Sequence, residues 1–243
     1  MANDMCARAS LLAIVPVLAI GALFVRLGIW QLDRAAQKHA EHSHYLGQSQ
    51  APAVNLTDLL DLPAERTLWR TVTVTGRYLT NVNILLDNQS YRSEPGYLVY
   101  SPLQMRDRPS VIVLVNRGWI PLSERREVVD VPTTPTENLT LNVVVGRPPA
   151  QGVRLAGAEQ IERLASNVRR VQVIDYETLG SDLEVTLQPY VLLLDPAAPS
   201  GFVRDWPAPG YDENRHRSYA VQWFAMALAL PAIYGVLLLR GRR

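Results

Sequence analysis

The sequence predicts a membrane protein in which two transmembrane helices, one at each end, flank a mainly antiparallel β (α+β) extracytoplasmic domain. Three observations carry this. Residues 9–25 and 219–239 contain no Asp, Glu, Lys, Arg or His, so much of the 48% hydrophobic content lies in two terminal blocks. Between them, short runs rich in β-branched residues alternate apolar with polar. Clusters of turn-forming residues separate most of those runs, and few connections are long enough for the crossover helices of a parallel sheet.

At the helical rise of 1.5 Å per residue, the second block is roughly 31 Å long, the thickness of a bilayer core. The first is roughly 26 Å by the same rule, and Leu27, Ile29 and Trp30 lengthen it if Arg26 snorkels to the interface. The alternative for the first block is a cleaved signal peptide, with Arg8 before it and Ala19-Ile20-Gly21 as a weak small-residue site. Arg8 precedes the first block and Arg240, Arg242 and Arg243 follow the second, which predicts cytoplasmic termini. The expected order is a tail at 1–8, a span at 9–32, a periplasmic β-rich domain at 33–218, a span at 219–239 and a tail at 240–243. Eight residues before the first span leave no room for an Arg-rich transit peptide, so a bacterial inner membrane is expected.

After the first span, residues 31–47 read as a helix continuing from the membrane and closed by Gly47. A proline-bearing stretch follows, with a short helical turn at residues 56–60. From Trp69 the period becomes two, with Val72, Val74 and Gly76 alternating with Thr71, Thr73 and Thr75. Further strands are expected at 84–86, 97–103, 111–116, 139–146, 171–174 and 190–194. Glu94-Pro95-Gly96 and residues 106–109 read as turns. Helices are expected at 156–166 and 176–179, and a Pro-rich segment, 196–209, leads into the second span. Pro16 and Pro231 fall inside the spans, where neighbouring helices can accommodate them.

Much chemistry is excluded. The one cysteine, Cys6, lies in the short N-terminal tail, so an intrachain disulfide and thiolate chemistry in the outer domain are ruled out. A net charge of +1 and a single lysine, Lys38, give no basic stripe for nucleic acid. There is no nucleophile elbow, phosphate loop, dinucleotide fingerprint or zincin motif, which makes an enzyme the weaker class.

The histidines are the remaining candidates. His39 and His42 stand three apart on the polar helix and are weak metal-ligand candidates; a solvated helix face is the competing explanation. His216 stands just before the second span, with Tyr219 and Trp223 three and seven residues on. That spacing suits either an axial haem ligand backed by aromatic rings or an ordinary interfacial aromatic belt.

Four motifs give a resemblance. Gly28-Ile29-Trp30-Gln31 with Arg34, Gly76-Arg77-Tyr78, Asn116-Arg117-Gly118-Trp119-Ile120-Pro121, and the Asn214, His216, Tyr219-Ala220, Trp223-Phe224 pattern occur in that order. The chain resembles the Surfeit-locus family of cytochrome c oxidase assembly factors from Gly28 to Phe224. The resemblance implies a non-enzymatic membrane chaperone that assists haem a insertion into the catalytic subunit of the respiratory oxidase. It implies haem a as cofactor, with His216, Trp223 and Tyr219 as cofactor-binding residues. It implies as partners the oxidase catalytic subunit, the lipid bilayer and, as a further candidate, haem a synthase. The alternative is a cofactor-free scaffold that stabilises an assembly intermediate. Arg34 and Arg117 are candidates for pairing with haem propionates, although Trp30 with Arg34, and the turn at Asn116-Arg117-Gly118, are equally readable as architecture.

Overall fold

The computed structural model of the 243-residue chain describes residues 2–79, 82–122, 135, 137–148, 160–199, 201–209 and 212–240. It divides into two compact units, Met1–Tyr45 with Ala208–Arg243, and Leu46–Pro207.

The first unit is built on helix α1 (Ala2–Ser49) and helix α4 (Glu213–Arg240). The polar stretch after the first apolar block continues α1 without a break, and the helix ends at Ser49 rather than Gly47. Pro16 and Pro231 both lie inside helices. By length and composition, Ile14–Ser49 and Glu213–Arg240 can each cross a membrane. Their apolar side chains point outward, with Val221 68% and Leu228 74% exposed, unlike those of a soluble protein's core helix.

The second unit is β-rich. Its elements are β1 (Val54–Asn55), a 3₁₀ turn (Leu56–Leu59), α2 (Ala64–Thr67), β2 (Thr71–Tyr78), β3 (Asn83–Tyr91), β4 (Glu94–Met105), β5 (Ile112–Pro121), β6 (Leu139–Gly146), β7 (Glu162–Ala165), β8 (Val168–Val171), α3 (Tyr176–Leu183) and β9 (Leu187–Leu194). The strand order is β1-β2-β6-β9-β5-β4-β3-β8-β7, and an added β2–β4 pairing closes β2, β6, β9, β5 and β4 into a ring. The pairings are mainly antiparallel as expected, with parallel contacts at β1–β2, β3–β8 and β5–β9.

Ring closure depends on Gly76. It pairs with Met105, and a Cβ there would sit 2.3 Å from the Gln104 carbonyl oxygen. Val72, Val74, Val113, Val115, Val143 and Leu192 fill the interior. The opposite sides of β5 and β9, through Ile112, Leu114, Val191 and Leu193, pack under Leu179 of α3. Both strands are therefore buried on two faces, which explains why 111–115 and 191–194 read as continuous apolar runs.

Several expectations need correction. Glu94-Pro95-Gly96 lies inside β4, not in a turn; the chain reverses at Arg92 and Ser93, whose φ values of 49° and 69° supply the bend. Of the helix expected at 156–166, residues 156–159 lie outside the described residues, and Glu162–Ala165 is a strand paired with β8. The strand expected at 171–174 ends at Val171, its first residue. Asn116-Arg117-Gly118 is not at a strand end but is a bulge within β5, because Tyr100 pairs with Asn116 and Val99 with Gly118, leaving Arg117 as the extra residue.

Asp182 ties α3 to the β7–β8 ribbon, accepting hydrogen bonds from Arg163 and Arg169. Burial acts to raise its carboxyl pKa, and the Arg163 and Arg169 guanidiniums more than offset this, holding it below the usual carboxylate range. A depressed folded value stabilises the native state above the unfolded pKa of about 3.9 and loses that contribution as pH falls through the folded value. Asp182→Asn is expected to destabilise the β unit by about 2 kcal/mol at pH 7. In denaturant titrations of the full chain, the gap between wild type and variant should narrow progressively below about pH 4.

Candidate functional site

Within the first unit, α1 and α4 run antiparallel and meet along a seam in which the first and last sequence motifs contact each other. Gly28 is the close-approach point. A Cβ at this position would lie 2.6 Å from Cε1 of Phe224, so the absence of a side chain admits the phenyl ring. One turn back, Phe24 packs against Trp223 with ring centroids 5.6 Å apart at 39°. One turn forward, Gln31 is 9% exposed, and its Oε1 lies 2.8 Å from Nδ1 of His216. Buried Ala35 and Ala220 keep side-chain bulk low in the two helices.

His216 is half-buried, and the only hydrogen-bond partner of its imidazole among the described residues is Gln31, at Nδ1. Nε2 is thus left for another role, the arrangement found when an imidazole binds a metal through one nitrogen and is oriented through the other. Trp223 is half-buried in the same seam. Tyr219 is 39% exposed and lies under the Arg215 guanidinium, 5.9 Å from Cζ to the ring centroid. His216 and Trp223 therefore both have partners on α1, whereas Tyr219 presents its ring outward beside them. A donor set of one oriented imidazole with neighbouring indole and phenol rings fits a large apolar macrocycle with an axial nitrogen ligand.

His39 and His42 do not converge on one point. Nδ1 of His39 lies 2.8 Å from Oε2 of Glu213, and Nδ1 of His42 lies 2.9 Å from the Pro209 carbonyl. Glu213 also pairs with Arg217 at 2.7 Å, so these side chains fasten the start of α4 to α1. Among the described residues no group of three His, Cys, Asp or Glu is placed to hold a metal ion. Arg34 donates to Gln37 at 3.0 Å, and its expected stacking partner Trp30 is 50% exposed.

In the second unit, the third motif is structural. Arg117 is 2% exposed; its Nη1 donates to Asn83 and Ser101, each at 3.4 Å, and its guanidinium lies 4.9 Å from the centre of the Phe202 ring. Burial pushes its pKa down. So deep a guanidinium is not presented to a ligand carboxylate, and the expected propionate role is withdrawn for it. Gly118, at φ +118°, donates its N–H to the Asn116 Oδ1 at 3.0 Å. A Cβ on it would lie 2.6 Å from the Val203 carbonyl, which receives the Trp119 N–H at 2.7 Å. Next to the bulge, Trp69, Tyr91, Leu98, Trp119, Arg147 and Trp206 are among the residues lining an open cavity of about 440 Å³.

Sequence reasoning missed Gln31 and Phe224 as partners of His216 and Gly28. Each belonged to a motif, but nothing in spacing links two motifs almost two hundred residues apart.

A model of the SURF1 family matches residues 18–228 of the chain. The chain is 25% identical to a SURF1-like protein of Rickettsia felis, over 90% of this chain and 93% of the relative. It is 26% identical to an uncharacterized SURF1-like protein of Mycobacterium bovis, over 90% of this chain and 79% of the relative. It is also 25% identical to a SURF1-like protein of Drosophila melanogaster, over 90% and 75% of the two chains.

If Gly28 is the packing hole for Phe224, Gly28→Val should lower the thermal stability of the detergent-solubilised chain, by about 1–3 kcal/mol as overpacking does. Combining it with Phe224→Ala should restore part of that loss. A double-mutant cycle with no coupling between the two positions would show that they do not meet.

Proposed function

The chain belongs to the SURF1 family, and from that premise we propose that it is a membrane-anchored assembly factor for cytochrome c oxidase that assists haem a insertion into the catalytic subunit. SURF1 proteins are oxidase assembly factors rather than enzymes. The single observation that carries the haem step is His216: an imidazole at the start of an apolar helix, held through Nδ1 by a buried amide, with Nε2 available and Trp223 two turns on along the same helix face.

In this reading His216 would hold haem a through its imidazole, and Trp223 and Tyr219 would supply aromatic cover for the macrocycle. Haem a, when bound, supplies the cargo of assembly and no reaction on the protein. The catalytic subunit is the client, haem a synthase a further partner, and the bilayer the solvent of both helices.

The proposed topology places both helices across a bacterial inner membrane, with both termini in the cytoplasm and the β unit in the periplasm. The outward apolar surfaces of α1 and α4 support insertion, and the terminal arginines support the orientation. A fluorescent-protein fusion at the C-terminus should be bright and an alkaline phosphatase fusion there inactive; the reverse pattern would overturn the orientation.

Detergent-purified protein, coexpressed with the haem a synthesis pathway, is expected to show a haem a spectrum and pyridine haemochrome. His216→Ala should abolish both while leaving the protein folded. Colourless wild-type protein that still copurifies with the catalytic subunit would favour a cofactor-free scaffold.

A further inference from the structure

We propose that Gln31 is a positioning residue that fixes the tautomer of His216, keeping the proton on Nδ1 and leaving Nε2 as a lone pair directed away from α1. This rests on the reading of His216 as the haem ligand, and adds to it a residue from the other end of the chain.

The geometry is specific. A neutral imidazole carries one N–H and one lone pair, and which nitrogen holds which is set by what the ring touches. The His216 ring has one hydrogen-bond partner among the described residues, the side-chain oxygen of Gln31, at 2.8 Å from Nδ1. An amide oxygen only accepts, so Nδ1 is the donor and Nε2 is stripped of its proton. The opposite tautomer would set two acceptors against each other and leave an Nε2–H with no partner among the described residues.

Gln31 is suited to this role by its surroundings. Among the described residues of α1 it is the one polar side chain that is nearly buried, and Gly28 and Ala35 are buried on either side of it. Its position is set from both sides. Gly28, one turn earlier, accepts the Phe224 ring, and Ala35, one turn later, is buried. A buried amide with one strong acceptor spent on a histidine resembles the carbonyl or carboxylate that commonly orients a metal-binding imidazole.

The test reads the tautomer directly, without haem. The full chain, labelled with ¹⁵N-histidine in detergent at pH 8, gives ring-nitrogen shifts in which protonated and lone-pair nitrogens are separated. His216→Ala identifies the His216 signals. Wild type should show Nδ1–H, Gln31→Leu should lose the single tautomer, and Gln31→Glu should keep it. A wild-type Nε2–H tautomer, or one unchanged in Gln31→Leu, overturns the proposal. If Gln31→Leu does not accumulate, the wild-type and Gln31→Glu spectra decide.

A second arm uses the haem-loaded protein. Gln31→Leu should bind haem a about 10- to 100-fold more weakly, at unchanged stoichiometry and with a shifted Soret band, and Gln31→Glu should recover both. Wild-type protein that shows Nδ1–H yet binds no haem would overturn the cofactor reading and sustain the orientation of His216 by Gln31.

Discussion

Close approach of the two terminal helices at Gly28 is the constraint on which the candidate site depends. An amide reaches across a helix pair only where the backbones come near, and a glycine that admits a phenyl ring sets that distance. With Phe224 seated there, Trp223 falls against Phe24 and His216 falls on Gln31. Further along, His39 and His42 meet Glu213 and the Pro209 carbonyl. Each contact is modest alone. Between helices in an apolar medium a hydrogen bond contributes about 0.6 kcal/mol on average. The geometry is set by packing and only then read out by polar groups.

The β unit solves a different problem. Its central strand, β5, is covered on both faces, so the chain must pass a charged residue through a core. The bulge at Arg117 does this. The extra residue changes the phase of the strand, Gly118 supplies the positive φ, and the segment at Phe202 and Val203 binds back along β5 through the Arg117 and Trp119 backbone. The guanidinium is then enclosed by Asn83, Ser101 and Phe202, which give it hydrogen bonds and a stacking face in place of water. A segment that reads in sequence as a strand-end turn is here the bulge that carries a charged residue through a long buried strand.

What was legible in the sequence followed from burial on one face. β2 and β6 alternate because one side faces the barrel interior, and β6 was bounded to the residue. The outer half of β3, from Asp87 to Tyr91, was invisible because its side chains are polar on both faces and it is held by the β4 ladder. Pro95 and Gly96 looked like a turn because their usual preference is for bends. The strand keeps them where glycine allows the Ile120 carbonyl to lie 2.2 Å from a would-be Cβ. Glu162–Ala165 looked helical because Glu, Arg, Leu and Ala are all good helix formers, whereas a tight hairpin through Ser166 and Asn167 pairs these four residues with β8. His216 and Trp223 could be nominated from spacing, yet their α1 partners could not, since a helix pattern states which residues share a face but not what that face meets.

The Gln31–His216 contact is difficult to explain as a stabilising device. Glycine, alanine and aromatic packing already bring the helices together, and an aliphatic pair at these two positions would bury apolar surface with no polar group to satisfy. A polar pair in an otherwise apolar seam carries a desolvation cost that one neutral hydrogen bond roughly offsets. What the pair adds is direction: one imidazole nitrogen is committed inward and the other has no hydrogen-bond partner among the described residues. A residue whose energetic contribution is near zero, but whose chemical state is fixed by its neighbour, is better explained by what its remaining nitrogen binds than by the fold it helps to hold.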